Sequence, residues 1–157
     1  MNESKVISKI NEMIVVETAV LNNYQIHGEL APNEEILNKF VSFANTSKEL
    51  LATLSGMLEA LGGELIDNVE SISYDLNEAF EAVIEAGVFS NNEALRVIYE
   101  AYLLEALNYR NWSILKELSE EEEDERFTLV KEAKEKADKT RKWLKDKIEE
   151  LSLEDLK

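Results

Sequence analysis

The chain contains no cysteine and a single histidine in 157 residues. The absence of cysteine excludes disulfides, thiolate zinc sites, iron–sulfur clusters and cysteine nucleophiles. One histidine leaves little material for metal binding or acid–base chemistry. Long apolar runs are also missing, since even Met13–Val16 is followed at once by a glutamate, so we expect no segment to span a bilayer.

Basic residues are scarce, with 17 of them against 33 acidic residues and a formal net charge of −16. A phosphate backbone would be repelled by this charge, so we expect no nucleic-acid partner, and an anionic membrane surface is disfavoured for the same reason. The N-terminal segment lacks the basic start, apolar stretch and small-residue site of a signal peptide. Together with the absent cysteine, this favours a cytoplasmic location.

Proline and glycine are rare as well, with one proline and five glycines. Apolar residues recur at intervals of three and four, which is the helical period, and strand-like alternation is absent. The pattern predicts an all-α protein with a single domain over residues 1–157. The expected helices cover residues 5–27, 33–61, 76–86, 90–118 and 119–151, with a loop over residues 63–74.

Helix boundaries are predicted from local signals. Asn33 is a candidate N-cap, and Gly62 with Gly63 forms a C-terminal stop. Three segments resemble capping boxes that open helices. They are Asp75–Glu78, Ser90–Glu93 and Ser119–Glu122.

The acidic run Glu120–Glu125 is expected in the first turns of the last helix, where carboxylates interact favourably with the helix dipole. The alternative is an acidic binding patch. The long connection from Gly62 to Ser90 separates two helical hairpins and is long enough to cross the length of a bundle. We therefore expect a four-helix bundle of two hairpins, with a short fifth helix in the crossover.

The first and third long helices match in sequence, either by chance between two amphipathic helices or because a helical hairpin was duplicated. Glu17, Asn23 and Tyr24 align with residues 105, 111 and 112, which are Glu, Asn and Trp. Steps of three and four place Glu17 within the apolar stripe of the first helix, and Glu105 within that of the third. A carboxylate among core residues is costly unless it is paired, protonated or bound to a metal.

These motifs, Glu17-x6-Tyr24 and Glu105-x6-Trp112, with the two hairpins and the long crossover, resemble the ferritin-like superfamily, and its rubrerythrin-like branch most of all. The resemblance implies an up-down four-helix bundle. It also implies a di-metal site in which each half supplies one Glu and one Glu-x-x-His. Glu17 and Glu105 match the single carboxylates of that site, and iron or manganese would be its metal.

The remaining ligands of the family are missing. The Glu-x-x-His positions fall near Ser47 and Leu50 on the second helix, and near Ala137 and Thr140 on the fourth. A shifted register on the fourth helix offers residues 135 and 138, Glu and Asp, but these face away from its apolar stripe. The only histidine, His27, lies off the stripe near a helix end, so we interpret it as a surface or capping residue.

Glu17 and Glu105 therefore allow three interpretations. In the first, they are a remnant pair that either shares a proton or is neutralised by Arg141. In the second, they form a small-molecule or single-metal site. In the third interpretation the register is wrong and both lie on the surface. No cofactor is expected under the first interpretation.

The sequence leaves three functions open. The first is a bundle without metal that self-associates as a homodimer or binds a protein partner. The second is a divergent di-iron carboxylate protein that handles iron, oxygen or peroxide. The third is a regulator that captures a basic partner through its negative charge.

Overall fold

The computed structural model describes residues 1–29, 31–88 and 92–157. Within these ranges every regular element is helical, which confirms the all-α prediction. The α-helices are α1 Glu3–Glu29, α2 Glu34–Ala60, α3 Val69–Val83, α4 Glu93–Glu122 and α5 Val130–Asp155. A π-helical turn, Ile84–Val88, follows α3, and a 3-10 turn, Glu125–Phe127, precedes α5. None of the described helices combines the length and apolar character needed to cross a membrane.

The predicted boundaries of α2 are confirmed. The Asn33 side chain accepts a hydrogen bond of 3.0 Å from the backbone N–H of Ile36, which caps the helix. At the other end Gly62 adopts φ +67°, and the Gly63 N–H donates to the Leu58 carbonyl at 2.9 Å. These are the bonds of a Schellman motif, which a glycine makes possible without strain.

The crossover is more helical than the sequence indicated. Its helix α3 already begins at Val69, within the expected loop, and Asp75 lies inside the helix rather than at a cap. The Ser73 hydroxyl donates to the Val15 carbonyl at 2.9 Å, and the Asn77 amide donates to the Ala19 carbonyl at 3.0 Å. Because the residue numbers of the paired positions increase in the same direction on both helices, α3 runs parallel to α1.

The predicted capping box at Ser119 is wrong. The Ser119 hydroxyl bonds back to the Lys116 carbonyl at 2.7 Å, and α4 continues to Glu122. The helix ends at Glu123, which has φ 49° in the left-handed region. Glu120 therefore lies in the last turn of α4, where the helix dipole disfavours a carboxylate, and its 2.5 Å contact with Lys116 offsets this cost.

The Ser90–Glu93 capping box falls partly outside the described residues, because Ser90 is not among them. The described N-cap of α4 is Asn92, whose side chain accepts a hydrogen bond of 3.1 Å from the Leu95 N–H. The start of α4 is thus fixed by an asparagine cap, as at α2.

The four long helices pack side by side, each between two neighbours. Helix α1 contacts α2 and α4, α5 contacts α4 and α2, and α3 lies against α1 and α4. Lys9 bonds to Asn111 while Asn23 bonds to Glu100, so α1 and α4 are antiparallel. Salt bridges from Glu49 to Lys136 and from Glu35 to Lys147 show that α2 and α5 are also antiparallel.

Candidate functional site

The core divides into two apolar clusters, and every long helix passes from one to the other at the same level. The change occurs between residues 15 and 16 on α1, 44 and 50 on α2, 104 and 112 on α4, and 137 and 144 on α5. Buried polar side chains occupy this level. They are Glu17, Ser47, Glu105, Asn108 and Thr140, which we call the polar layer.

Glu105 is held by two donors in the polar layer. The Tyr24 hydroxyl donates to its Oε1 at 2.6 Å, and the Asn108 amide donates to its Oε2 at 3.4 Å. Only 3% of Glu105 is exposed, and this burial raises its pKa, while the two donors act in the opposite direction. Burial has the larger effect on the pKa, because the free energy of hydration that the carboxylate loses exceeds what the two hydrogen bonds supply.

Glu17 is fully buried, and among the residues that the structure describes neither of its carboxyl oxygens has a hydrogen bond of good geometry. The polar groups of Ser47, Asn108 and Trp112 lie near it and favour its charged form. Burial, followed by the negative charge of Glu105, nevertheless raises the pKa of Glu17 to about 8. The pair therefore retains a proton at neutral pH, as close buried carboxyls do.

The structure bears on the three interpretations of this pair. Glu17 and Glu105 both lie in the core and interact with each other, so the surface interpretation is wrong. Arg141 does not neutralise them, because it pairs with Asp138 at 2.7 Å and lies over the ring of Tyr109 at 4.5 Å. The Arg141 guanidinium contacts a carboxylate and an aromatic ring at partly exposed positions. This costs less free energy than burying its charge in the core.

The four positions at which the family would place its second-helix and fourth-helix ligands are all buried. They are Ser47, Leu50, Ala137 and Thr140. Of these, the Ser47 hydroxyl lies near Glu17. The four side chains offer no carboxylate or imidazole, and Glu135 is exposed. Within residues 1–29, 31–88 and 92–157, no group of three or more His, Cys, Asp or Glu side chains is arranged to hold a metal. The donor set therefore does not fit a di-metal centre.

His27 is more buried than the sequence indicated. Its Nε2 lies 3.7 Å from Oε2 of Glu100, and its side chain is 15% exposed. The Asn23 amide donates to the other oxygen of Glu100 at 3.0 Å. Sequence reasoning missed Glu100, although the apolar residues Val97, Ala101 and Leu104 surround it at helical spacing and indicate burial.

The sequence matches no protein-family model. Neither a curated protein nor a solved structure matches the chain.

Proposed function

We propose that this protein is a ferritin-like bundle without a di-metal centre, and that it acts through protein–protein interaction. The observation that carries the proposal is the burial of Glu17 and Glu105 without a further metal ligand, since no group of three His, Cys, Asp or Glu in the described residues is arranged to hold a metal. A closed core with a protonated carboxyl pair offers neither a nucleophile nor an open coordination position.

The ferritin-like assignment is supported by topology and by the level of the polar layer. Two antiparallel hairpins are joined by a crossover that runs parallel to α1 along the bundle. The two carboxyls come from the first helix of each hairpin, and they lie midway between two apolar clusters. A di-metal bundle places its ligands at this kind of position.

The crossover supplies the interaction surface in this proposal. Between Gly63 and Val88 the crossover has seven acidic residues and no basic one. The seven are Glu64, Asp67, Glu70, Asp75, Glu78, Glu81 and Glu85. Exposed apolar side chains accompany them on the crossover, including Tyr74, which is 64% exposed. A basic amphipathic segment complements such a surface in both charge and polarity.

A lysine–leucine amphipathic peptide tests this surface, with a scrambled peptide of equal composition as its control. We expect saturable binding that weakens as salt is added, because exposed charges are screened. The double variant Glu70→Lys with Asp75→Lys should abolish binding, since both residues are exposed on α3. Charge reversal at Glu135 and Glu149, exposed on α5, should preserve it. Equal binding by the two double variants would contradict the proposal.

Self-association as a homodimer stays a prediction. Sedimentation velocity over a range of protein concentrations measures it directly. A species of twice the chain mass is expected, and a monomer throughout the range would contradict it.

The second candidate, a divergent di-iron protein, is favoured by one observation. Neither oxygen of Glu17 has a hydrogen bond of good geometry within the described residues, as would hold for a metal ligand. Iron-dependent oxidase activity that disappears in Glu17→Gln while the fold persists would establish this candidate over the first.

A further inference from the structure

Helix α4 carries an apolar strip on its outer face. Leu103, Leu107 and Ile114 are spaced by four and seven residues, so they lie on one side of the helix. Leu107 is 36% exposed, Ile114 is 48% exposed, and Leu103 is half-buried. We call these three residues the α4 strip. Neighbouring apolar side chains that remain in water favour association with another surface.

The contacts of α4 fix the position of this strip. On one side of α4, Glu100 accepts a hydrogen bond of 3.0 Å from Asn23 of α1, and α3 packs against both helices. On the other side, the ring centroid of Tyr109 lies 4.5 Å from the Arg141 guanidinium of α5. At about 100° per residue, Leu107 falls between these two sides and away from the core. The α4 strip is therefore flanked by α3 on one edge and by α5 on the other.

The α3 edge of the strip is acidic. Between Gly63 and Val88 the crossover has seven acidic residues and no basic one. Asp75 and Glu78 are exposed on α3, and the ring of Tyr74 is exposed beside them. This edge therefore favours a basic surface as its partner.

The α5 edge of the strip is basic. Residues 131–147 include eight basic and four acidic side chains, in a chain whose net charge is −16. Lys145 is exposed four residues after Arg141, so it lies on the side of α5 that contacts α4. The two edges are also at the same level of the bundle, because Leu76 of α3 packs against the apolar cluster that contains Leu144 of α5.

The two edges are complementary across a two-fold axis that runs parallel to α4. Such an axis places the α4 strips of two copies against each other and sets α3 of each copy opposite α5 of the other. An axis that crosses α4 within the plane of contact would instead set α3 opposite α3, where like charges repel. The net charge of each copy opposes association only weakly, since charges more than about 8 Å apart are screened at physiological ionic strength.

We propose that two copies of this chain form a two-fold dimer through the α4 strip, with the acidic α3 of each copy against the basic face of α5 in the other. The inference rests on the proposed function, because it names a second copy as the partner of the crossover. The same contact occurs twice, so the assembly closes at two copies. The strip supplies an apolar centre and the two edges supply a charged rim, as in other protein interfaces.

An exchange of charges between the two edges tests this dimer by sedimentation equilibrium. The crossover variant Glu70→Lys with Asp75→Lys and the α5 variant Lys142→Glu with Lys145→Glu change exposed positions only. Each variant should raise the dissociation constant of the dimer about tenfold or more, because both contacts then join like charges. An equimolar mixture of the two variants should dimerise again, since opposite charges then meet at both edges.

Matched controls separate this contact from a general effect of charge. Lys5→Glu with Lys48→Glu, exposed on α1 and α2, should dimerise as the wild type does and should not restore the crossover variant in a mixture. Ile114→Asp should raise the dissociation constant about tenfold or more, because it places a charge in the apolar centre. Val41→Asp, at a position 55% exposed on α2, should not.

Three results would each overturn the proposal. They are a wild type that stays monomeric, a wild type that forms species larger than a dimer, and a mixture of the two charge variants that stays monomeric. The α5 variant keeps its crossover unaltered, so binding of the lysine–leucine peptide to it tests the proposed function separately. Peptide binding with a monomeric wild type overturns the dimer alone, and a dimer without peptide binding by the α5 variant overturns the peptide surface alone.

Discussion

The Tyr24 hydroxyl donates a 2.6 Å hydrogen bond to Glu105, and this bond links α1 to α4 inside the core. The ring of Tyr24 packs edge-on against Phe40 at 5.1 Å, within the apolar cluster that contains Val16, Leu104 and Leu144. One side chain thus joins the apolar cluster to the polar layer. Tyr24 supplies the donor that Glu105 would otherwise lack at that oxygen.

Tyr24→Phe removes this donor while it keeps the ring. The free energy of unfolding should fall by about 1–3 kcal/mol, because a buried carboxyl oxygen is left without its partner. Urea denaturation measures the change. Tyr74→Phe is the control, since Tyr74 is 64% exposed and should change stability little. Equal effects of the two variants would show that the buried bond contributes nothing specific.

Glu17 should make the protein less stable as the pH rises. Its pKa is raised in the folded state, so between about 4.5 and about 8 the folded chain holds a proton that the unfolded chain has released. The contribution of Glu17 to stability is therefore complete below the lower value and is lost as the pH rises towards the upper one. The slope is about 1.4 kcal/mol per pH unit for each such proton.

Glu17→Gln should flatten this dependence. The amide has nearly the shape of the protonated acid, so the variant should match the wild type near pH 5 and exceed its stability near pH 8. Denaturation at both values gives the difference directly. Glu12→Gln, at an exposed position on the same helix, should run parallel to the wild type. A Glu17→Gln curve parallel to the wild type would mean that Glu17 is ionised in the core.

Two glycines should respond in opposite ways to alanine. At Gly56, exposed within α2, an added Cβ would meet nothing within 4 Å, so Gly56→Ala should stabilise by about 0.5–1 kcal/mol. At Gly63 the Cβ would lie 2.7 Å from Leu58 and 2.9 Å from Ile7. Gly63→Ala should therefore destabilise by about 1–3 kcal/mol through overpacking. Thermal unfolding that ranks the two variants in the reverse order would contradict this packing.

The features predictable from the sequence are those that depend on local periodicity. Helical periodicity predicts that Glu17 and Glu105 lie in the core, because steps of three and four residues return to one helix face, and both residues are buried. Asn33 and Gly62 were recognised because capping and left-handed turns require particular side chains. The all-α class follows from the same period.

The features that sequence reasoning missed are one contact between distant segments and two choices between local partners. Ser119 has the pattern of an N-cap, yet its hydroxyl bonds back within α4, and the break comes at Glu123. Helix α3 begins early because Ser73 bonds to α1, which its own sequence does not indicate. Arg141 pairs with Asp138, three residues before it on α5, rather than with the buried carboxyls.

Metal content tests the central claim most directly. The protein is exposed to ferrous iron without oxygen, desalted and analysed for iron per chain, beside the Glu17→Gln variant. We predict that the wild type retains no more iron than the variant, because no group of three His, Cys, Asp or Glu in the described part of the chain is arranged to hold a metal. Near-stoichiometric iron in the wild type that Glu17→Gln abolishes would contradict this prediction.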